Sequence, residues 1–596
     1  MKKYLALILG LCLTVGLGGC ASTPAEKTPE TQPESGNEQF DIVIVGAGGA
    51  GLAAAVEAHE QGADNILVLE KMSFAGGSTT MAFGGFNCRN SRFMDEQGKE
   101  ETPVMIVDKI EKNGAGFADV DMAGIIAMET PKVIEWLDGF GSEWGKIRYA
   151  DLHCPTDGTI PGVELVKVLK EQAEKNGIEI RYNSPAVDLI ADESGRVSGV
   201  QVKDANGEYT IDAQAVILAT GGFESNPEMI AKYDNPGLAH IHLAPSQGNM
   251  GDGIVMAEKL GAELRNMDLI QLSCAVAPFS IQMQLPIKNN GVVFINKEGK
   301  RFTNEYSEAS SDRRITEDIL KQTDAECFGV YNETIYQTFM AIEEKDFFDE
   351  YRMTGIDNSG TVIKADTLEE LAEKLGVDQE TFLATMNGLK TDNIGNEEVV
   401  KLADTYKSGP YYAVTLTPGV MDTLGGVLAD TTGRVINKEG KPIKGLYAAG
   451  EVIGNVQGAY YSVGLGEAVV FGRVSARNAI EYIKDRQGLT EHVPFDRDTP
   501  QENNAETAKG NFTDGTFTGE GQGNNGPIKV EVTVKDGSIT EIQVLEQAET
   551  PNIYAGAEEQ FIPELIKTQN LEIDAVAGAT NSSNGLREAV KNALKQ

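Results

Sequence analysis

The apolar positions divide the chain into unlike stretches. Tyr4 to Leu17 is almost wholly apolar and follows Lys2 and Lys3. From Ala21 to Gln39 periodicity disappears and Pro, Glu, Thr and Ser dominate, so too little apolar surface is available to fold. Next come short β-branched runs separated by turns and helical stretches: Phe40 to Val45, Asn65 to Leu69 and Ala215 to Leu218. Strand, turn and helix in that order predict an α/β domain. Beyond a polar linker around Asn503 to Glu506, strict alternation in Ile528 to Val534 and a helical Leu586 to Lys595 predict a small C-terminal α+β domain.

The first apolar run is short and glycine-rich at its end, which predicts a signal peptide rather than a membrane span. Its close, Leu17-Gly18-Gly19-Cys20, resembles a bacterial lipobox, which is cut before the Cys and acylated on its thiol. Residues 1–20 are therefore expected to be removed or lipidated at Cys20, with 21–39 as a tether on the extracytoplasmic face of the cell membrane.

At 596 residues the chain is long enough for several cores, and its formal net charge of −39 disfavours nucleic acid as a partner. Cys88, Cys154, Cys274 and Cys327 lie outside the leader and form no C-x-x-C pair or haem-attachment motif; one disulfide is conceivable, but their dispersal favours buried free thiols. His240 and His242 lack a third metal ligand, so they are expected to be structural or at a cofactor's edge, and no metal is expected. Trp136 and Trp144 are expected in a core or in a cap.

The run into Gly46-Ala47-Gly48-Gly49-Ala50-Gly51 and an Ala-rich helix is a dinucleotide-binding turn. Its first glycine makes the turn, the second admits a pyrophosphate, and the third lets helix pack on strand. Glu70 ends the next strand, where a carboxylate accepts from a ribose hydroxyl.

Later segments sharpen this reading: Gly76-Gly77-Ser78-Thr79, Ala219-Thr220-Gly221-Gly222, Gly251-Asp252-Gly253 and Gly445-Leu446-Tyr447-Ala448-Ala449-Gly450-Glu451. Together they resemble the fumarate reductase and succinate dehydrogenase flavoprotein superfamily, over roughly Gln39 to Lys484. The resemblance implies non-covalent FAD in a split Rossmann-like domain, residues 40–265 and 410–486. The stretch 266–409 would be an inserted α+β cap closing over the substrate, followed by a linker, 487–508. The expected FAD set is Gly46, Gly48, Ala50, Gly51 and Glu70 from the first turn and strand. Lys71, Gly77, Ser78, Thr79, Gly85, Ala219, Thr220, Gly221, Asp252, Glu451, Gly466, Ala468 and Val469 join it from the matching segments.

Asp574-Ala575-Val576-Ala577-Gly578-Ala579-Thr580 is similar to the flavin-transferase target motif of FMN-binding domains, with Ala577 where Ser or Thr is usual. The resemblance makes 509–596 an FMN domain and Thr580 the residue esterified through the FMN phosphate by a flavin transferase. The alternative is a helix-capping threonine.

Two flavins without haem imply a relay: a membrane-linked donor to FMN, then FAD, then the activated C=C bond of a small acceptor. Hydride would leave the flavin while a positioned acid supplies the proton. In fumarate enzymes of the family, a His and an Arg after the Ala-Gly-Glu segment bind a carboxylate. Here Gln457 stands at the His, and Tyr461 or Ala459 at the Arg, so fumarate is disfavoured. Tyr460 and Tyr461 favour a neutral or aromatic ligand. The family's proton-donating Arg follows a segment present here as Arg301-Phe302-Thr303-Asn304-Glu305; an ungapped count reaches Ala309, a short insertion Asp312 or Arg313. Arg313 is the candidate and Arg314 the next, with a solvated helix start as the alternative. Two other functions remain open: a dehydrogenase of a ketosteroid-like compound, and an electron-carrier flavolipoprotein.

Overall fold

The computed structural model describes residues 38–596 except 99–101, 148–151, 206, 235–245, 278–284, 307–308, 343–346, 461–462, 491–511, 524–525, 548–557, 559–560, 564, 572, 574–579 and 596. The leader, Cys20, His240, His242, Tyr461 and the expected tether up to residue 37 lie outside the described residues, while Glu38 and Gln39, expected in the tether, begin the first strand.

Strands Pro442–Ala448, Gly207–Leu218, Glu38–Val45, Ile66–Leu69 and Glu179–Arg181 lie side by side in that order, all parallel. Every residue from Phe40 to Val45 and from Ile66 to Leu69 is buried, as a parallel sheet covered on both faces requires. Helices Gly49–Glu60, Pro161–Lys175 and Gly464–Arg486 give much of that cover, the first buried from Gly49 to Ala58. Ala186–Ala191 and Val197–Asp204 extend the sheet antiparallel. At the strands' starting end, buried Asp41 accepts from Thr490 N at 2.9 Å, Thr490 Oγ1 at 2.8 Å and Gln214 Nε2 at 2.7 Å. The segment entering this domain is thus fastened to the one leaving it.

A second sheet, Ile270–Val276, Tyr411–Thr423, Cys327–Asn332 and Val293–Ile295 with Ile363–Ala365 at the side, has its own core. It moves one expected boundary. The strand Tyr411–Thr423 belongs to the cap sheet, pairing with Cys327–Asn332 and Ile363–Ala365 along its first half and with Ile270–Val276 along its second. The chain therefore rejoins the first domain near Gly426–Val427, which pairs with Leu264–Arg265, and not at 410.

The C-terminal unit is a three-stranded antiparallel sheet, Gly515–Gln522, Pro527–Lys535 and Ser538–Glu546, with helix Thr580–Leu594 packed against it. Ile528, Val530, Val532 and Val534 meet Leu586, Ala589, Val590 and Ala593. The helix presses so close that a Cβ on Gly519 would stand 2.1 Å from Ala589 O, and one on Gly521 2.2 Å from Gly585 O. This core also takes in Ile160, with Phe83 and Val163 packed against it, so it is joined to the first domain. The four cysteines are buried and none is in a disulfide. Trp144 is fully buried, and Trp136 packs partly buried against the same core.

Replacing Gly519 by Val overpacks the helix–sheet contact and should cost about 1–3 kcal/mol. Calorimetry should show the C-terminal unit melting earlier while FAD content stays at the parental level; an unchanged melt would contradict the packing.

Candidate active site

The strand Glu38–Val45 ends in Gly46, whose φ of +106° is open to glycine and strained for other residues. A Cβ on Gly51 would lie 1.8 Å from Gly46 O, so helix Gly49–Glu60 begins hard against the strand end. Its N-cap, Gly48, provides no side-chain cap, leaving first-turn amides for an anion. Glu70 is buried and holds the turn, its Oε2 accepting from Ala47 N and its Oε1 from Met72 N, each at 2.8 Å. Burial raises its pKa against the pull of those amides and of Lys71.

These residues open onto one cavity at the ends of the parallel strands. Gly46, Gly48, Ala50, Glu70, Lys71, Gly77, Ser78, Thr79, Ala219, Thr220, Gly221, Asp252, Glu451 and Ala468 all line it. The glycine turn, the uncapped helix start and the Glu70 carboxylate fit the diphosphate and ribose of FAD. Four expected residues stand behind the lining. Gly51 serves helix packing, Gly85 lies against His153 O, Val469 is wholly buried, and Gly466 packs near Ile126 and Thr130. Met72, Pro185, Ala186, Ser246, Gly248 and Asn249 line the cavity without having been expected. Among the described residues of the lining, Lys71 is the one cation, and its Nζ is tied to Asp252 at 2.5 Å.

A buried acidic floor was also not foreseen. Asn249 Nδ2 donates to Glu224 Oε1 at 2.5 Å, Ser78 Oγ at 3.0 Å and Glu451 Oε2 at 3.2 Å. Ser78 Oγ donates to Glu224 Oε1 at 3.1 Å, and Thr423 N to Glu451 Oε1 at 3.1 Å. Asp422 immediately precedes Thr423 in strand Tyr411–Thr423. Glu467, in the first turn of helix Gly464–Arg486, accepts from Gln457 Nε2 at 2.5 Å. Burial raises the pKa of all four carboxyls, that of Glu467 to about 8.

Gln457, at the family's His position, is buried and spent within the fold: besides binding Glu467 it accepts from Val463 N at 3.1 Å. Tyr460 is partly buried in the same loop. Arg313 lies outside the cavity lining and spans the two domains. Its Nη2 donates to both oxygens of Asp234, at 2.9 and 2.8 Å, its Nη1 to Ile270 O at 3.0 Å, and its Nε to Glu317. Arg314, also outside the lining, binds Thr303 Oγ1 and Asn304 O, both at 2.8 Å. Thr580 opens the helix Thr580–Leu594.

The profile of the FAD binding domain family matches residues 41–466, and that of the FMN-binding domain family residues 523–595. The chain is 30% identical over 462 residues to the fumarate reductase (cytochrome) of Shewanella frigidimarina, covering 75% of this chain and 78% of that protein. It is 33% identical over 484 residues to the urocanate reductase of Eggerthella lenta, covering 76% and 77%. The solved open conformation of a flavocytochrome c3 fumarate reductase superposes with a TM-score of 0.66 at 28% identity, over 75% of this chain and 79% of that one.

Glu467 gives the site a pH signature. Its folded pKa, about 8, lies above the ordinary 4.5, so its contribution to stability is complete below about 4.5 and is lost as pH rises to 8. The melting temperature of the FAD-free chain should fall across that window, and Glu467→Gln should make the fall shallower. An identical slope in the variant would show that Glu467 is already ionised.

Proposed function

Since the chain belongs to the FAD-binding-domain family of oxidoreductases acting on C=C and CH–CH bonds, and carries an FMN-binding domain besides, we propose that it is an extracytoplasmic, lipid-anchored reductase of a small alkene acceptor other than fumarate. Electrons would pass from a membrane-linked donor to FMN on Thr580, then to FAD, then to the acceptor. What supports an acceptor other than fumarate is the use made of Gln457, at the position where the related enzymes carry a carboxylate-binding His. Among the described residues lining the cavity Lys71 is the one cation and is paired with Asp252, while Gln457 is committed to Glu467 and Val463. A dicarboxylate needs a cationic clamp; a neutral or aromatic alkene beside Tyr460 and Tyr461 does not.

The relay is supported by where the FMN domain sits. Its core includes Ile160, with Phe83 and Val163 against it, and the neighbouring Gly162 would place a Cβ 1.9 Å from the carbonyl of Thr79, a cavity residue. On this reading, electrons leaving the FMN domain would enter at the FAD loop. Such an inlet favours a reductase over a dehydrogenase that donates to quinone. Residues 1–37 support the anchor by their lipobox-like Leu17-Gly18-Gly19-Cys20 alone.

Anaerobic turnover with reduced viologen should proceed with neutral enones or vinyl-aromatic compounds at least tenfold faster than with fumarate, the equivalent of about 1.4 kcal/mol. Rapid oxidation by fumarate would show a carboxylate clamp elsewhere in the cap. In Thr580→Val, mass spectrometry should show loss of the FMN adduct, while viologen, which reaches FAD directly, still drives turnover. A retained adduct would remove Thr580 from the relay.

A further inference from the structure

Glu224 and Glu451 approach each other over the bare Cα of Gly222. A Cβ there would stand 2.9 Å from Glu224 Oε2, 2.7 Å from Glu451 Oε1 and 2.0 Å from Thr423 Oγ1. One amide nitrogen, Asn249 Nδ2, reaches both carboxyls, at 2.5 and 3.2 Å. Glu224 is 0% exposed, and its Oε2 is buried with no hydrogen-bond partner. The groups facing the pair are Asn249, Ser78 from the glycine loop, Thr423 and Asp422 from strand Tyr411–Thr423, and Glu467 from helix Gly464–Arg486. Among the described residues no lysine, arginine or histidine forms an ion pair with any of the four carboxyls.

Two carboxylates so close, without a cation, do not both ionise in a buried site; they titrate as a pair that keeps a proton. A proton on Glu224 would also give its Oε2 something to donate. Ser78, Asn249 and Glu451 line the cavity, so negative charge arriving there raises the pair's affinity for a second proton.

We propose that Glu224 and Glu451 share one proton while the bound FAD is oxidised and take up a second when it is reduced, making the pair the proton store of the reaction. The proposal rests on the flavin reading of the cavity and not on the identity of the acceptor. Two electrons and one proton enter the ring, and one proton enters the pair. On turnover a hydride passes to one carbon of the C=C bond and the pair gives up its added proton, so each bond reduced consumes two electrons and two protons. Glu224 is then a positioning and proton-holding residue for the FAD, and it does not need the cap arginines.

The test is proton uptake during anaerobic dithionite titration of the full-length holoenzyme at neutral pH, read with an indicator in weak buffer. FAD content is measured in the same samples. Glu224→Gln keeps the Asn249 and Ser78 contacts and should take up about one proton fewer per chain than the parent, the FMN contribution being common to both. Equal uptake in a variant that holds FAD overturns the proposal and leaves the flavin reading standing. If Glu224→Gln loses FAD, the reduced-minus-oxidised infrared difference spectrum of the unaltered holoenzyme decides. A new buried-carboxylic-acid C=O band on reduction supports the pair, and its absence overturns it. A parent chain that holds no FAD would overturn the flavin reading and the proposal together.

Discussion

Gly51 stands so near the Gly46 carbonyl that no side chain fits between helix and strand. That approach fixes where helix Gly49–Glu60 begins, and with it where the first-turn amides point. Glu70 braces the same turn through the amides of Ala47 and Met72. The other cavity walls, from Gly77–Thr79, Ala219–Gly221 and Ala449–Glu451, arrive at this one opening because the parallel strands that carry them end side by side. Charge meets at the same opening, which is bordered by the uncapped helix start, Lys71, Glu70 and Glu451.

What could be read in the sequence was local. Glycines at fixed spacing after a β-branched run describe a turn whatever surrounds it, so the first turn, Glu70 and the Ala219–Gly221 corner all fall on the cavity. Alternation in Ile528 to Val534 likewise produced its strand. Of the buried acids Glu451 was legible through its motif, whereas Glu224, Asp422 and Glu467 are ordinary polar letters until distant segments bury them together. The end of the cap was hard to read for a related reason: only the pairing of Tyr411–Thr423 with Cys327–Asn332 and Ile270–Val276 places that strand in the cap sheet. Arg313 reads as a charge on a helix; its partner Asp234, in the other domain, decides its occupation.

Phe83 is a meeting point for all three domains. It belongs to the segment after the glycine loop, packs against the core of the C-terminal unit, and lies 4.9 Å beneath the guanidinium of Arg352 from the cap. A displacement of the cap at Arg352 would therefore reach the contact between the C-terminal unit and the first domain through a single aromatic ring.

The clasp between Asp41 and Thr490 has a mechanical meaning. A pull applied between the segment preceding Glu38 and the one following Thr490 enters and leaves the domain at neighbouring points, and the bonds of Asp41 with Thr490 carry it. The load crosses a few hydrogen bonds at the strands' starting edge and bypasses the sheet. The opposite edge, where the flavin cavity opens, lies away from those bonds, at the far ends of the same strands.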